Sequence, residues 1–546
     1  MIRVPTEPAA APYEEHRLSL PVVTRVVAHV TIWTVVLVPV LLKVARGWRP
    51  LDDDAVIALR SWAVFSAHPP LLGVYSTATS AGRHVVYDPG PLLFWLLALP
   101  VHLDPAHGVL WGAGLLTAVI LSVAAEAAWS VVGWLGVAVV AFTVADVGRL
   151  IPAIFDNVVW NAYFGLMFFF ASAVLAFAVA AGRLGWWPVL VLSTSVAAQS
   201  HLFFVVGGVT LALIAPVIGV VRRGRPVRHR WLVAGIAIGV ACWAAPLVQQ
   251  FTGHPGNISS ILKVGSGQST VGGGSALRIL AMAASPSPIW LAHLPSGFFN
   301  LIALAYARGS GFGIGVLALV AAIAAVSWWT GRRDLAALAL VTDVSLAAMA
   351  MSAARLPTRN VISLGYLLDS QWFLGVLVWA TVVWAGVELL RETLARWRST
   401  AQVARPHSAS LGAPQRRARM TRVVTAVVLA AMVLVAVLDI RSVPLNGALP
   451  GDDWTTVVAR VNRMAAAIER TYPHTPIVLR VSETKPFSAL EEEDGVAWTL
   501  TSHGLRVALP WFFAQSAGLS IPPHNRWPVI VVTERPHQPV TLEQVG

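Results

Sequence analysis

Charge is what this sequence has least of. Of its 546 residues only 12% are Asp, Glu, Lys or Arg, 56% are hydrophobic, and the mean hydropathy is +0.68. A chain so poor in charge cannot cover itself with a solvated surface, which excludes a soluble globular protein and places it in a membrane. Cysteine is absent but for Cys242, so neither a disulfide framework nor a thiolate metal site can form within one chain. No GxGxxG, P-loop, HExxH or GxSxG pattern stands where its mechanism would operate. Acids are scarcer than bases, 27 against 39, for a net charge of +12. Most of the arginine, however, flanks apolar runs, where anionic lipid and topology account for it, and no nucleic-acid partner is expected.

What is present in quantity is apolar sequence. Runs near the roughly 20 residues that a spanning helix needs lie at 24–43, 108–128, 130–148, 160–181, 201–221, 231–248, 311–330, 335–353, 371–390 and 421–439, with a shorter one at 186–199. Counting the short run gives eleven spans and puts the termini on opposite sides. The first run lacks a small-residue cleavage site and reads as a retained anchor. Arginine clusters at 222–230, at 332–333 and from Arg391 to Arg422 fall on one side only with that count, and positive loops stay in the cytoplasm. The expected layout is a cytoplasmic tail (1–23), a transmembrane domain (24–439) with outer loops at 44–107 and 249–310, and an outer domain (440–546). Lys43, Arg46 and Arg49 disagree, since they follow the first span on the outer side.

After residue 440 the apolar density drops. Asp453 can cap a helix bearing Val457, Val461, Met464 and Ile468 at helical spacing, closed by Pro473. "PIVLRV" reads as a strand, a second helix runs from about Phe487 to Gly504, and "LRVAL" and "PVIVVT" supply two more strands. This is a small α/β domain with no chemistry legible in it.

The acids are concentrated in one telling place, "RPLDDDAVIALRSW". Asp52 or Asp53 can cap a helix starting near Ala55; a carboxylate at the membrane surface can also act as a general base on a hydroxyl. The two readings are compatible. Cations that could hold a departing phosphate on the outer side are Arg83, with His84 beside it, Arg149, Arg355 and Arg359. Each is equally suited to lipid head groups. Asp343, inside a span, suits a helix–helix contact or transport, and "VGSGQSTVGGGS" (264–275) reads as a flap or linker.

Several stretches, in order, resemble GT-C glycosyltransferase-like multispanning proteins of high-GC Gram-positive bacteria. They are Asp53, Asp54 and Ala55; His68, Pro69, Leu72, Gly73, Tyr75 and Ser76; then Asp88 before the Pro-Gly-Pro at 89–91. Further along come Asp156, Asn157, Trp160 and Asn161, then Gln199, Ser200 and His201, then "WAAPLVQQFTGHPGNISSIL" and "GVAWTLTSHGLRVALP". The chain departs from the family in having Asp88 where a histidine is common and Ala162 where a proline is. The resemblance implies an all-α polytopic GT-C-like fold of about eleven transmembrane helices with a small C-terminal α/β extracytoplasmic domain. It implies transfer of a sugar from a polyprenyl-phosphate donor to a cell-envelope glycan or lipid acceptor, in the cytoplasmic membrane among its lipids. Asp53, Asp54 and Asp156 are then the expected catalytic acids, and Arg83, His84, Arg149, His201, Arg355 and Arg359 the substrate-binding residues; a divalent metal is left open. Two other readings stand beside this one, a transporter or flippase of a lipid-linked intermediate and a non-catalytic envelope scaffold.

Topology reporters fused after Ser410 and after Leu500 are expected to give opposite signals. The same compartment at both sites would overturn the span count and remove the outer site.

Overall fold

A computed structural model describes residues 20–76, 78–79, 85–151, 153–223, 228–264, 269–284, 311–358, 365–403, 454–482, 486–509, 527–534 and 539–545. Its helices follow the apolar runs. In chain order the transmembrane part comprises α1 (Leu20–Ala45), α2 (Asp52–Trp62), α3 (Leu92–Leu103), α4 (Gly108–Val132), α5 (Trp134–Leu150), a single turn α6 (Ala153–Asp156) and α7 (Asn161–Ala180). Then come α8 (Trp187–Ser200), α9 (Val205–Arg223), α10 (His229–Thr252), α11 (Asn257–Leu262), α12 (Gly272–Ala283), α13 (Gly311–Trp329), α14 (Arg333–Ala354) and α15 (Ser370–Val403). Eight of these, α1, α4, α7, α9, α10, α13, α14 and α15, are long and apolar enough to cross a membrane. The shorter α5 and α8 fall on the runs at 130–148 and 186–199. Ten of the eleven apolar runs are therefore helical, and the run at 421–439 lies outside the described residues.

The bundle is organised around α7, in which every residue is buried. A helix that is apolar all round needs neighbours on every side, and α7 has α4, α8, α9 and α14. Its Phe170 stacks on Phe373 of α15, and Phe169 on Phe204.

Charge divides the two ends of this bundle. At one end Arg332 bonds Glu392, Arg222 has Asp334 and Arg333 as electrostatic neighbours, and Arg25 and His29 of α1 bond Glu126 of α4 (Arg25 Nε–Oε1 2.7 Å, His29 Nε2–Oε1 2.6 Å). At the other end lie the turn after α1, α2, residues 73–76 and 85–91, α6, the α8–α9 junction and the start of α15. The three arginine clusters expected to share a side are thus represented at the first end by Arg222, Arg332 and Arg391, the last bonded to Glu388 of its own helix (2.9 Å).

The C-terminal domain consists of α16 (Trp454–Thr471), β1 (Ile477–Val481), α17 (Pro486–Ser502), β2 (Val507–Ala508), β3 (Val529–Thr533) and β4 (Thr541–Val545). Its sheet order is β2-β1-β3-β4, parallel except for the antiparallel β3–β4 pair. The helices and first three strands match the sequence reading; β4, "TLEQV", adds an exposed edge strand whose composition gave no strand signal. Asp453 lies outside the described residues. The domain rests on α2 through α17. Gly495 makes the approach: a Cβ there would fall 2.4 Å from Leu51 Cδ2. Trp498 meets Trp62 edge-on at 5.9 Å.

Two glycines of α13 separate packing from helix propensity. A Cβ at Gly313 would sit 1.9 Å from the Ala281 carbonyl oxygen of α12, while Gly315 has nothing within 4 Å. Gly313→Ala is expected to cost about 1–3 kcal/mol through overpacking, and Gly315→Ala to be neutral or mildly stabilising. Thermal unfolding of both variants in one detergent checks this; equal melting temperatures would refute the α12–α13 contact.

Candidate active site

The turn that ends α1 sets the geometry. Gly47 takes φ +74°, a conformation suited to glycine, and the Trp48 N–H returns to the Lys43 carbonyl (3.0 Å). The chain then enters α2 at Asp52. The helix begins three residues earlier than the capping reading placed it: Leu51 is the N-cap, without a side-chain bond, and the three aspartates form the first turn. Carboxylates there gain from the helix dipole, and two of them are engaged elsewhere than in capping. Asp53 Oδ2 accepts from Trp160 Nε1 (2.8 Å), and Asp54 has Lys43, Asp53 and Asp156 as electrostatic neighbours.

Lys43 is the cation around which these acids sit. Its Nζ lies 3.0 Å from Asp156 Oδ1 and 2.5 Å from the Asp156 carbonyl. The positive charge that disagreed with the topology is therefore paired inside the protein. Arg49 is likewise engaged, with Nη1 3.2 Å from His107 Nε2.

Asp88 joins the loop to the spans. Backbone bonds tie it to Gly73 and Val74, its Oδ1 accepts from the Leu202 N–H (2.8 Å), and its Oδ2 accepts from Asn161 Nδ2 (2.9 Å). Asn161 also donates to the Ser200 carbonyl (3.0 Å). Asn257, of the Pro-Gly-Asn stretch, clamps the same loop: its side chain exchanges two bonds with the Tyr87 backbone (3.0 and 3.1 Å). Gln199 donates to the Cys242 carbonyl (2.7 Å) and packs so closely on Gly90 that a Cβ there would lie 2.1 Å from its Oε1.

Aromatic rings form the neighbouring wall. Trp160 lies against Tyr366 (4.5 Å between centroids) and Tyr163 (5.0 Å), and the Tyr163 hydroxyl donates to Asp369. His201 Nδ1 accepts from the Phe203 N–H (3.2 Å), which leaves the proton on Nε2, 3.2 Å from the Tyr366 hydroxyl. Burial pulls His201 down to about 4, so it is neutral.

Desolvation dominates the electrostatics. It raises Asp53, against the opposing Trp160 bond, and raises Asp88 well above the ordinary carboxylate value in spite of two donors. It lifts Asp54 to about 7, with Lys43 opposing, and Asp369 to about 7, with Tyr163 opposing. From the C-terminal domain the buried Asp494, which feels both Glu493 and Asp53, is raised as well. The two carboxyls lifted to about 7, Asp54 and Asp369, can exchange a proton with a neighbouring group near neutrality.

Among the sequence-derived candidates, Asp53, Asp54, Asp156 and His201 gather at this end of the bundle. Arg149 bonds Asp146 of its own helix (3.1 Å). Arg355 is exposed at the end of α14, beside the loop pair held by Val271 N–Leu356 O (2.9 Å) and Thr358 N–Ser269 O (3.0 Å). Arg83, His84 and Arg359 lie outside the described residues. Sequence reasoning missed Lys43 as a partner, and missed Arg60, Tyr163, Tyr366, Asp369 and Asp494. Nothing marks these in isolation; "GYLLDSQW" reads as the plain start of a span. Among the described residues no three His, Cys, Asp or Glu side chains are grouped so that they could hold a metal ion.

No protein-family model matches the chain, and no curated protein matches it. Two solved structures from Archaeoglobus fulgidus are similar in part. One is the apo oligosaccharyltransferase, at TM-score 0.39 and 10% identity, covering 88% of this chain and 64% of that one. The other is oligosaccharyltransferase AglB in complex with an inhibitory peptide and a dolichol-phosphate, at TM-score 0.35 and 10% identity, covering 86% and 63%. This chain spans less than two thirds of either structure, and likenesses below a TM-score of 0.5 decide neither its fold nor its activity.

Asp54 makes stability depend on pH in a stated direction. Its folded value, about 7, lies above its ordinary 3.8, so the folded state holds a proton that the unfolded state has lost. The contribution is present below about pH 4 and disappears as pH rises to about 7. Asp54→Asn should flatten the decline of melting temperature across that window; an unchanged slope would show that Asp54 titrates normally.

Proposed function

We propose that this chain is a GT-C-type membrane glycosyltransferase. It moves a sugar from a polyprenyl-phosphate donor to a hydroxyl of a cell-envelope glycan or lipid, at the outer face of the cytoplasmic membrane. The observation that carries this reading is the Asp53 carboxylate, oriented by the Trp160 N–H among further acids at one end of an apolar bundle. The stretches on which the family resemblance rests support it, because residues far apart in sequence meet there: Asp53 with Trp160, Asp88 with Asn161 and Leu202, and Asn257 with Tyr87.

In this reading the acceptor hydroxyl gives its proton to Asp53 as its oxygen bonds the anomeric carbon. The bond from that carbon to the phosphate oxygen breaks, and the phosphate leaves with the electron pair. An ordinary alcohol is a poor nucleophile until a base takes its proton, so the carboxylate has a defined task. Trp160 holds Asp53 in place, and the Trp160–Tyr366 wall offers apolar faces of the kind a sugar ring packs against. Asp54, near 7, supplies a second carboxyl that can hold a proton during turnover. The phosphate's cations come from Arg355 together with Arg83, His84 and Arg359; Arg149 joins them only if it leaves Asp146. The same reading puts the arginine end of the bundle in the cytoplasm and the C-terminal domain outside, and it assigns the run 421–439 to the crossing between them. The scaffold alternative is less well supported, because the domain is seated on α2 through Gly495 and is not held apart from the site.

The test is an assay of purified protein with radiolabelled polyprenyl-phosphate pentoses and hexoses, followed by identification of the labelled acceptor. Asp53→Asn keeps a bonding partner for Trp160 while removing the base, and is expected to lower transfer by about 10²- to 10⁴-fold. Full activity in a folded Asp53→Asn protein would remove Asp53 from the chemistry.

A further inference from the structure

Arg60 stands in the last turn of α2, and its surroundings are unusual for an arginine at the acid-rich end of the bundle. Lys43 has Asp156, Arg149 has Asp146 and Arg460 has Glu492. Arg60 is half-buried, yet among the described residues no carboxylate pairs with it and its Nε is buried without a hydrogen-bond partner. Its neighbours are the Phe94 ring, 5.7 Å from Cζ, and Tyr87. The Phe94 face gives the guanidinium some cation–π support, but the unmet buried N–H stays costly until an acceptor arrives.

Its position relative to Asp53 gives that anion a place. Seven residues along an α-helix return to nearly the same face, about 10 Å further on. The adjacent loop follows that face: Asp88 is an electrostatic neighbour of Asp53, and Tyr87 is one of Arg60. One helix face thus presents a carboxylate at one end and, at the other, a guanidinium that no carboxylate pairs with among the described residues, with a separation on the scale of a sugar joined to a phosphate. Guanidinium is also the side chain whose planar fork matches phosphate oxygens in pairs.

We propose that Arg60 is an anion-holding residue of this site and takes the phosphate of a polyprenyl-phosphate lipid whose sugar extends toward Asp53. The inference rests on the transferase reading for the nature of the lipid, but its test needs no transfer.

The experiment measures binding of polyprenyl monophosphate to the full chain, with the uncharged polyprenol and phosphatidylglycerol as separate arms, for the wild type, Arg60→Gln and Arg60→Lys. The wild type should prefer polyprenyl phosphate over both other lipids. Arg60→Gln should weaken the phosphate lipid about ten- to hundredfold and leave polyprenol binding unchanged. Arg60→Lys, which keeps charge but loses the fork, should fall between. Without lipid, Arg60→Gln should melt no lower than the wild type, since it removes a charge that no carboxylate pairs with among the described residues. The proposal is overturned if Arg60→Gln binds the phosphate lipid normally. Loss of both prenyl lipids with a lower melting temperature would equally overturn it, by making Arg60 a packing residue on Phe94. So would phosphatidylglycerol binding as well as polyprenyl phosphate, which marks a general head-group contact. Phosphate-dependent binding through Arg60 without sugar transfer from any donor would leave Arg60 standing and sink the transferase reading.

Discussion

Carboxylates crowded against the end of an apolar bundle repel one another and lose solvation, and the ion pair between Lys43 and Asp156 makes such crowding tolerable here. Lys43 closes α1, Asp156 ends α6, and their contact at 3.0 Å fixes the anchor helix against the α5–α7 corner. Everything nearby is adjusted to that pair. Asp54 takes part of its field, Asp53 draws a donor from Trp160, and Asp88 draws two from Leu202 and Asn161. Where donors are too few, protonation does the rest, as the raised values of Asp54 and Asp369 show. A buried ion pair adds little net stability but is expensive to break from one side; its effect is to specify an arrangement.

The C-terminal domain is drawn into the same balance. Three consecutive acids of α17 are buried. Glu492 bonds Arg460 (2.8 Å) and Glu493 accepts from the Val481 N–H (3.0 Å), so both are anchored within the domain. Asp494, whose Oδ1 is buried without a hydrogen-bond partner among the described residues, instead feels Asp53 across the contact made by Gly495 and Leu51. Two buried carboxyls that sense each other do not ionise independently. The seating of the domain therefore bears on the charge of Asp53, and α2 is the element through which the two parts communicate.

How much of this was legible depended on whether the signal was local. Apolar runs are local, and ten of the eleven became helices, including the short "WWPVLVLSTSVAAQ" run that became α8. The acidic turn of α2 was legible as a feature, though not its start at Asp52, because the aspartates looked like caps and turned out to serve Trp160 and Lys43. Pairings across the chain were not legible: Lys43 and Asp156 are 113 residues apart, and no property of either names the other. Arg60 carries no mark of its own in the sequence, and only the surroundings of its guanidinium distinguish it. The strand β4 failed for a different reason. Its residues are mostly exposed at a sheet edge, where pairing with β3 supplies the order that composition does not.

The one conflict in the topology reading, basic residues after the first span, shows what a charge count measures. Positive-inside bias is counted over all Lys and Arg in short loops near the span ends, whatever partners they later find. Lys43 ends in an ion pair with Asp156 and Arg49 beside His107, so their charge at this end is met by protein groups. The arginines at the opposite end include Arg230, which is exposed. Of the three residues that disagree with the count, Lys43 is the one that the fold turns to structural use, because its pairing with Asp156 joins the end of α1 to α6 and sets the place of the acids beside it.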